Sequence, residues 1–246
     1  MHYVYVSDAS PHLTFRQYLS VLASHKFFRP ERILLHSNVA PSGKYWDLAV
    51  KTTGIEYNHV ERVRRIGGKA PGWVQHEADY IKVSQVLLFG GVALDFDAVI
   101  LNGTKLRDEQ RRGECVLSGE NSCTYLNIGV FSCVKGSRYL HDWREGYHMD
   151  YRPYLWLYNS CTNTPTDLVK KGLYEVVIDP DISQYPSWSV SKKEWLGTGR
   201  KVDWRGKAAS HYFCRGAVQD GTEILDMDNS LGEMFRYIYQ YDEYQH

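Results

Sequence analysis

Residues 87–101, with the sequence LLFGGVALDFDAVIL, decide the fold of this chain. They predict the end of a helix, a glycine turn, a short buried strand and then two carboxylates one residue apart. In extended backbone, residues i and i+2 point to the same side, so we expect Asp95 and Asp97 to face one space while Phe96 points away. Oxygen ligands of this kind suit Mg²⁺ or Mn²⁺, whose open positions phosphate oxygens commonly fill. The stretch therefore predicts a metal-bridged phosphate site at the end of a strand.

Strand and helix patterns alternate on both sides of this stretch. Residues 2–6 predict a strand, 13–26 an amphipathic helix and 32–37 a second strand, which together make a βαβ unit with a parallel strand pair. Further strands are expected at 55–60, 114–118, 127–133 and 176–178, and further helices at 138–147 and 224–241. Residues 43–71 are mixed and polar. The region from 181 to about 207 is rich in loops. The pattern indicates a single α/β domain, which is ordinary for 246 residues.

A second helix pattern, residues 72–89, leads directly into the central stretch. Val74, Ala78, Ile81 and Leu88 share one face of it, and Gly90 follows where a glycine commonly ends a helix. Asp79 and Lys82 lie three residues apart, so they are expected to point at the same region of space. From the pattern alone, these two form an ordinary helical ion pair.

Composition excludes several function classes. The 29 basic and 29 acidic residues balance, so no global field favours nucleic acid or an anionic membrane. No run of 18 apolar residues predicts a membrane segment, and residues 1–8 are too short and polar to be a signal peptide. The five cysteines have no CxxC spacing, which argues against a thiolate zinc site and leaves room for one or two disulfides.

Three motifs, taken in order, resemble the DXD-containing sugar-binding region of glycosyltransferases. They are Ala78-Asp79, then Gly90-Gly91, then Asp95-Phe96-Asp97, and Asp79 precedes Asp95 by the sixteen residues that the family pattern requires. The family includes the yeast initiating α-1,6-mannosyltransferase and the animal α-1,4-galactosyl- and α-1,4-N-acetylglucosaminyltransferases. Weaker similarity extends to the opening strand, to the segment that begins at Asn127 and to a late histidine segment, residues 210–212.

The resemblance implies a GT-A fold, a single Rossmann-like α/β/α domain over residues 1–246 with a mixed, mainly parallel sheet. The nucleotide-sugar-binding part would be about 1–105 and the acceptor-side part about 106–246. The implied activity is metal-dependent transfer, with retention of configuration, of a sugar from a UDP- or GDP-sugar to a hydroxyl of a glycan, lipid or protein. The implied cofactor is Mn²⁺ or Mg²⁺.

The resemblance also implies roles for individual residues. It assigns a metal ion to Asp95, Asp97 and His211, the donor to Asp79, Lys82, Asp95 and Gly91, and catalysis to Asp95, Asp97 and Asn127. Lys82 stands where the family usually has arginine, which keeps the charge but loses the planar fork that grips two oxygens. The alternatives are structural roles: His211 would be a histidine of the core, and Asn127 would make hydrogen bonds at the end of a strand.

Two other function classes remain open from the sequence. Asp95-Phe96-Asp97 also resembles the first motif of haloacid-dehalogenase-type phosphatases, although that motif normally lies on the first strand of the domain. A transferase fold that binds a sugar or nucleotide without turnover is the second alternative.

The expected compartment depends on whether an N-terminal membrane anchor belongs to the protein. Relatives with such an anchor work in the Golgi lumen, whereas a protein without one is expected in the cytoplasm.

Overall fold

A computed structural model describes residues 1–120, 125–179, 182, 188–198, 201–214 and 220–240, with residue 120 and residues 188–191 described by their backbone alone. The described strands are β1 (His2–Tyr5), β2 (Leu34–Ser37), β3 (Glu56–His59), β4 (Gly91–Leu94), β5 (Ala98–Ile100), β6 (Cys115–Glu120), β7 (Tyr125–Cys133), β8 (Val176–Asp179) and β9 (Ala209–His211). The described helices are α1 (Phe15–Ala23), α2 (Lys44–Thr53), α3 (Val74–Phe89), α4 (Gly103–Gln110), α5 (Arg138–Met149), α6 (Thr164–Lys170), α7 (Trp188–Leu196), α8 (Glu223–Asp226) and α9 (Ser230–Gln240). Short π-helical turns follow α1 at Ser24–Phe28 and precede α6 at Tyr158–Thr162.

The strands confirm an α/β fold with a mixed, mainly parallel sheet. Seven of them form one sheet in the order β3-β2-β1-β4-β7-β6-β8, and β5 pairs with β9 in a separate two-stranded ribbon. In the large sheet β7 alone is antiparallel to its neighbours β4 and β6, whereas the other pairs run parallel. The order turns back on itself beside β1, which is where open α/β sheets commonly bind their ligands.

Helices cover both faces of this sheet, and the central strands are buried on both sides. The side chains of Val92 and Leu94 pack into one apolar cluster with α1 and α9, while Ala93 between them faces a second cluster with α3 and α5. This alternation is the period-two pattern of a strand, and the near-continuous apolar run is typical of a strand that is covered on both faces. The short strand predicted before Asp95 is therefore confirmed.

Three helices lie where the sequence pattern does not indicate them. They are α2 and α4, which are polar and bury few residues, and α7, in the region that the sequence marks as loops. A helix that buries little apolar surface has a weak periodic signal, so its formation depends on its neighbours in the fold.

The buried face of α3 differs from the predicted one. Of the four apolar residues that share one face in the sequence pattern, Val74 and Leu88 are exposed and Ala78 is half-buried, so Ile81 alone is fully buried. The helix instead buries His76, Glu77, Ile81, Lys82, Val83 and Val86. The polar members are accepted inside because each has a partner: Glu77 accepts hydrogen bonds from Arg62, and His76 bonds the Tyr151 hydroxyl at 2.7 Å.

Two cross-strand features tie the sheet together. Cys115 and Cys133, directly opposite each other on β6 and β7, form a disulfide, which is one of the one or two that the sequence leaves possible. On the other half of the sheet, Asn58 donates to His36, His36 bonds His2 at 2.9 Å, and His2 bonds the Gly90 carbonyl at 2.8 Å. The described residues include no helix long and apolar enough to cross a membrane.

Candidate metal and donor site

Asp95 and Asp97 lie in a turn rather than on a strand. Strand β4 ends at Leu94, and the Ala98 amide donates to the Asp95 carbonyl at 3.0 Å, which closes a turn over both aspartates. The expectation that extended backbone aims the two carboxylates is therefore wrong. They do face a common space, but the turn between β4 and β5 brings them there.

The ribbon of β5 and β9 brings His211 to these carboxylates. Ala98 pairs with His211 in the antiparallel register, and His211 Nε2 lies 2.9 Å from Asp97 Oδ1. One ligand atom from each of Asp95, Asp97 and His211 can be chosen so that all three lie within 4.8 Å of one another. The structure thus brings together the three residues predicted to hold a metal ion.

Asn127 fixes the ring of His211. The Asn127 Oδ1 accepts the Gly129 amide at 2.6 Å and lies 3.3 Å from His211 Nδ1. Because that oxygen accepts hydrogen bonds, Nδ1 carries the proton, and the Nε2 lone pair is turned toward the Asp97 carboxylate. A lone pair and a carboxylate 2.9 Å apart require a cation or a proton between them.

The lack of a side chain at Gly129 makes this arrangement possible. A Cβ on Gly129 would lie 2.4 Å from His211 Nδ1 and 2.6 Å from Asn127 Oδ1. The Gly129 carbonyl also accepts the Asp95 amide at 2.8 Å. Gly129 thereby supports two of the three candidate ligands, a role that the sequence does not reveal because the ligands are far away along the chain.

Lys82 lies behind the site as a buried bridge between two acids. Its ammonium donates to Asp95, to Asp79 at 3.4 Å and to the Ile128 carbonyl at 3.2 Å. Burial lowers the pKa of Lys82, but Asp95 and Asp79 outweigh it and hold that pKa above its ordinary value. Burial raises the pKa of Asp79 to about 6, against the opposing effect of Lys82. The predicted ion pair is present, and the Lys82 ammonium is already surrounded by oxygens of the protein.

A cavity of about 660 Å³ opens in front of these groups, at the carboxyl edge of β1 and β4. Asp79, Asp95, Asp97, Asn127 and His211 line it, together with the end of β1 and parts of α1, α3 and the segment before α6. Lys82 and Gly91 are not among the described residues that line it. Gly91 begins β4 at the far end of that strand, where its φ of 106° and its contact with His2 favour glycine.

Two residues that line this cavity, Arg16 and Phe213, are not indicated by any pattern in the sequence. Arg16, in the first turn of α1, donates from Nη1 to the Cys214 carbonyl at 2.7 Å, and its buried Nε has no hydrogen-bond partner among the described residues. Phe213 stacks on the His211 ring with centroids 3.7 Å apart and adopts a φ of 55°, which is rare for an aromatic residue. Neither belongs to a motif, so no sequence signal marks them.

Cys161 and two tryptophans complete the surroundings. Cys161 lines the cavity from the turn before α6, and burial raises the pKa of its thiol to about 12. Trp73 packs edge-on against Trp156, which lines the cavity mouth, so Trp73 lies near the site without being in the core. The side chain of Trp188 lies outside the described residues.

The donor set fits a divalent ion of the Mn²⁺ or Mg²⁺ class. Two carboxylates and one imidazole converge, and the His211 ring turns Nε2 toward Asp97 Oδ1 at 2.9 Å. Carboxylate oxygen with imidazole nitrogen is a donor set that Mn²⁺ accepts.

The chain resembles known proteins in its fold but matches none of them in sequence. No family model matches the chain, and no curated protein matches it in sequence. Among solved structures, the glycosyltransferase GlyE of Streptococcus pneumoniae TIGR4 aligns with 98% of this chain at a TM-score of 0.52 and 10% identity. This chain spans 60% of the length of GlyE.

Two further solved structures are similar over much of the chain. The galactosyltransferase LgtC, in complex with donor and acceptor sugar analogs, aligns over 98% of this chain and 95% of its own at 14% identity and a TM-score of 0.47. The PaToxG glycosyltransferase covers 70% of this chain and 67% of its own at 11% identity and a TM-score of 0.48. The sheet order and the likeness to GlyE together show that this chain has the α/β fold of GT-A glycosyltransferases.

Proposed function

We propose that this chain is a metal-dependent glycosyltransferase that moves a sugar from a UDP- or GDP-sugar to a hydroxyl of a glycan, lipid or protein. One observation carries the proposal: Asp95, Asp97 and His211 converge on the wall of a large cavity at the carboxyl edge of the sheet. Such edges are where α/β folds bind nucleotides, and such ligands hold the ions that accompany diphosphates. The GT-A fold supports the same assignment.

The chemistry needs positive charge beside the diphosphate. As the bond between the anomeric carbon and the diphosphate breaks, negative charge builds on the departing oxygen. A Mn²⁺ or Mg²⁺ ion held by Asp95, Asp97 and His211 would supply charge neutralisation there. Asp79, which faces the cavity and is braced by Lys82, would accept hydrogen bonds from hydroxyls of the donor sugar.

The buried position of Lys82 changes its proposed role. Because Asp79 and Asp95 already surround its ammonium, we assign it to holding both carboxylates in place and not to direct contact with phosphate. Arg16 is better placed for that contact, since it lines the cavity and its Nε has no hydrogen-bond partner among the described residues. An arginine in this state gains hydrogen bonds when a phosphate oxygen approaches.

The acceptor side is proposed to include Asn127. Retention of configuration, which the family resemblance implies, would follow from attack on the same face of the sugar that the diphosphate leaves. The acceptor oxygen then forms the new bond to the anomeric carbon, and its proton passes to an oxygen of the departing diphosphate. This step needs no covalent intermediate with the protein.

The phosphatase alternative gains no support from the fold comparisons. A binding module without turnover shares every feature of the site, so activity separates it from the enzyme. The decisive experiment is a panel of UDP- and GDP-sugars, assayed for binding and for donor hydrolysis with Mn²⁺ and with EDTA. The variants are Asp97→Ala and, as a matched control, Asp108→Ala, whose carboxylate is exposed on α4.

We expect Mn²⁺-dependent hydrolysis of one donor by the wild type and by Asp108→Ala, and its loss in Asp97→Ala. Tight donor binding without turnover, even with candidate acceptors added, would assign the chain to the binding modules. Absence of donor binding together with hydrolysis of simple phosphoesters would reject the proposal in favour of the phosphatase. The anomeric configuration of the product, read by NMR, tests retention.

A further inference from the structure

Four consecutive apolar residues stand exposed at the mouth of the cavity. Tyr154, Leu155, Trp156 and Leu157, here called the apolar rim, expose 89%, 52%, 43% and 39% of their surface. Single exposed apolar residues are ordinary, but an unbroken run of four is unusual on a protein surface unless it has a function. The rim therefore calls for a binding partner.

The backbone of the rim is held in place by hydrogen bonds. The Leu155 amide donates to the Arg152 carbonyl at 3.1 Å, and the Tyr158 amide donates to the Leu155 carbonyl at 3.2 Å. His76 bonds the Trp156 carbonyl at 3.0 Å, while the Trp156 ring packs edge-on against Trp73. The apolar side chains are thus presented outward by a fixed loop.

Basic residues lie beside the rim. The segment 66–72 packs against the loop that precedes the rim: Lys69 donates to the Tyr151 carbonyl at 2.8 Å, and a Cβ on Gly72 would lie 1.8 Å from the Pro153 carbonyl oxygen. Lys69 on this segment is exposed, as are Arg64 and Arg65 directly before it, and Arg65 Nη1 donates to the Gly68 carbonyl at 2.8 Å. Asp150, the acid next to the rim loop in the sequence, pairs with Arg152 at 2.7 Å, so the three basic residues add positive charge to this face of a chain whose total charge is zero.

We propose that the apolar rim and its basic neighbours dock the protein on an anionic lipid bilayer. Tyrosine, tryptophan and leucine beside arginine and lysine are the side chains that bind the boundary between lipid headgroups and acyl chains. The basic residues complement anionic headgroups. A sugar ring would stack on one aromatic face within the cavity, whereas Tyr154, the most exposed rim residue, is absent from its lining.

Docking in this way would place the cavity mouth at the lipid surface, since Trp156 and Leu157 belong both to the rim and to the cavity. If the chain is a glycosyltransferase as proposed above, its acceptor is then a hydroxyl carried by a membrane lipid. Bilayer binding itself needs neither donor nor metal ion, so it can be measured without any activity.

The test is co-sedimentation of the intact chain in EDTA with vesicles of phosphatidylcholine alone or of phosphatidylcholine and phosphatidylglycerol in equal parts. Tyr154→Ser/Leu155→Ser removes two rim residues that lie outside the cavity lining, and Arg64→Gln/Arg65→Gln removes charge. Leu173→Ser/Leu225→Ser is the matched control, because both leucines are exposed elsewhere on the surface. Thermal unfolding and circular dichroism establish that the variants fold.

We expect binding to the anionic vesicles that weakens roughly tenfold or more in the rim variant and is unchanged in the control. The arginine variant should lose the preference for anionic over neutral vesicles. Failure to sediment with either vesicle would overturn the proposal, as would equal loss in the control. Glycan binding or self-association that depends on the rim, without vesicle binding, would give the rim to that other partner.

Discussion

At the scale of single residues, the site depends on groups that no motif marks. Gly129 admits the His211 ring because it has no side chain, and Arg16 lines the cavity with an Nε that has no hydrogen-bond partner among the described residues. Each can be tested by a change that leaves the carboxylates in place.

Gly129→Ala is expected to weaken Mn²⁺ binding roughly 10- to 100-fold, because the new methyl group displaces His211 from Asp97. Gly206→Ala is the control, since no atom lies within 4 Å of the position its Cβ would take. Isothermal titration with Mn²⁺ measures the effect. Equal affinity in both variants would contradict the role given to Gly129.

Arg16→Met is expected to weaken binding of UDP or GDP roughly ten- to hundredfold in the presence of Mn²⁺, because a charge-assisted hydrogen bond to the diphosphate is lost. Binding of the free nucleoside should change little, since it has no phosphate. Arg111→Met, on an exposed arginine paired with Asp108, is the control. An equal loss for nucleoside and nucleotide would show that Arg16 supports the cavity and does not contact phosphate.

At the scale of elements, polar groups inside the packing decide how the pieces meet. Helix α3 buries Glu77 and Lys82 and exposes Val74 and Leu88, the reverse of what apolar periodicity indicates. The reason is that buried partners compensate each charge, as Arg62 does for Glu77. Likewise, His2 and His36 are buried and bonded to each other between β1 and β2.

The histidine pair predicts an acid-sensitive sheet. Burial lowers the pKa of His2 to about 4 and that of His36 to about 3, so both stay neutral in the folded protein while the unfolded chain takes up protons near pH 6.5. The unfolded state then binds more protons between these values, so the free energy of unfolding falls as the pH drops below about 6.5. The loss should be about 2 kcal/mol for each histidine by pH 5, or about 4 kcal/mol for the pair.

Urea unfolding at pH 7.5 and pH 5 measures this loss. The variant His2→Gln/His36→Gln cannot take up these protons, and it should show a smaller difference between the two pH values than the wild type. A difference of the same size in the variant would place the acid sensitivity on other groups.

At the scale of the whole molecule, metal binding should stabilise the fold. The three candidate ligands come from the turn after β4 and from β9, so an ion held by them joins segments that are separate in the unfolded chain. Ligand binding to the folded state alone raises the free energy of unfolding by about 2.7 kcal/mol when the ligand is at a hundred times its Kd.

We therefore expect Mn²⁺ to raise the unfolding temperature of the wild type relative to EDTA, and to leave that of Asp97→Ala unchanged. Differential scanning calorimetry measures both. A shift of equal size in the variant would place the ion at another site.

A net charge of zero over the whole molecule does not exclude a local excess of basic residues. The balance of 29 basic and 29 acidic residues argues against a global attraction to anionic membranes, and that inference holds for the whole surface. The basic residues beside the apolar rim form a local exception, because electrostatic attraction falls off within about 10 Å at ordinary ionic strength. Only the packing of segment 66–72 on the rim loop makes the exception visible.

The sequence by itself determined the α/β class, most strands and longer helices, the break at Gly90-Gly91 and the two carboxylates after β4. These features are local: side-chain periodicity and turn residues act over a few positions, so they can be read from a short window. The polar helices α2 and α4 escaped because they bury little apolar surface.

The tertiary structure alone decided which groups meet. His211 is 84 residues from Asn127 and 114 from Asp97, and Gly129 allows their approach. Whether Lys82 reaches phosphate or braces two acids depends on what packs around it, and the same holds for Arg16. Such contacts are set by the sheet order and by the turn between β4 and β5, which bring residues together that are distant along the chain.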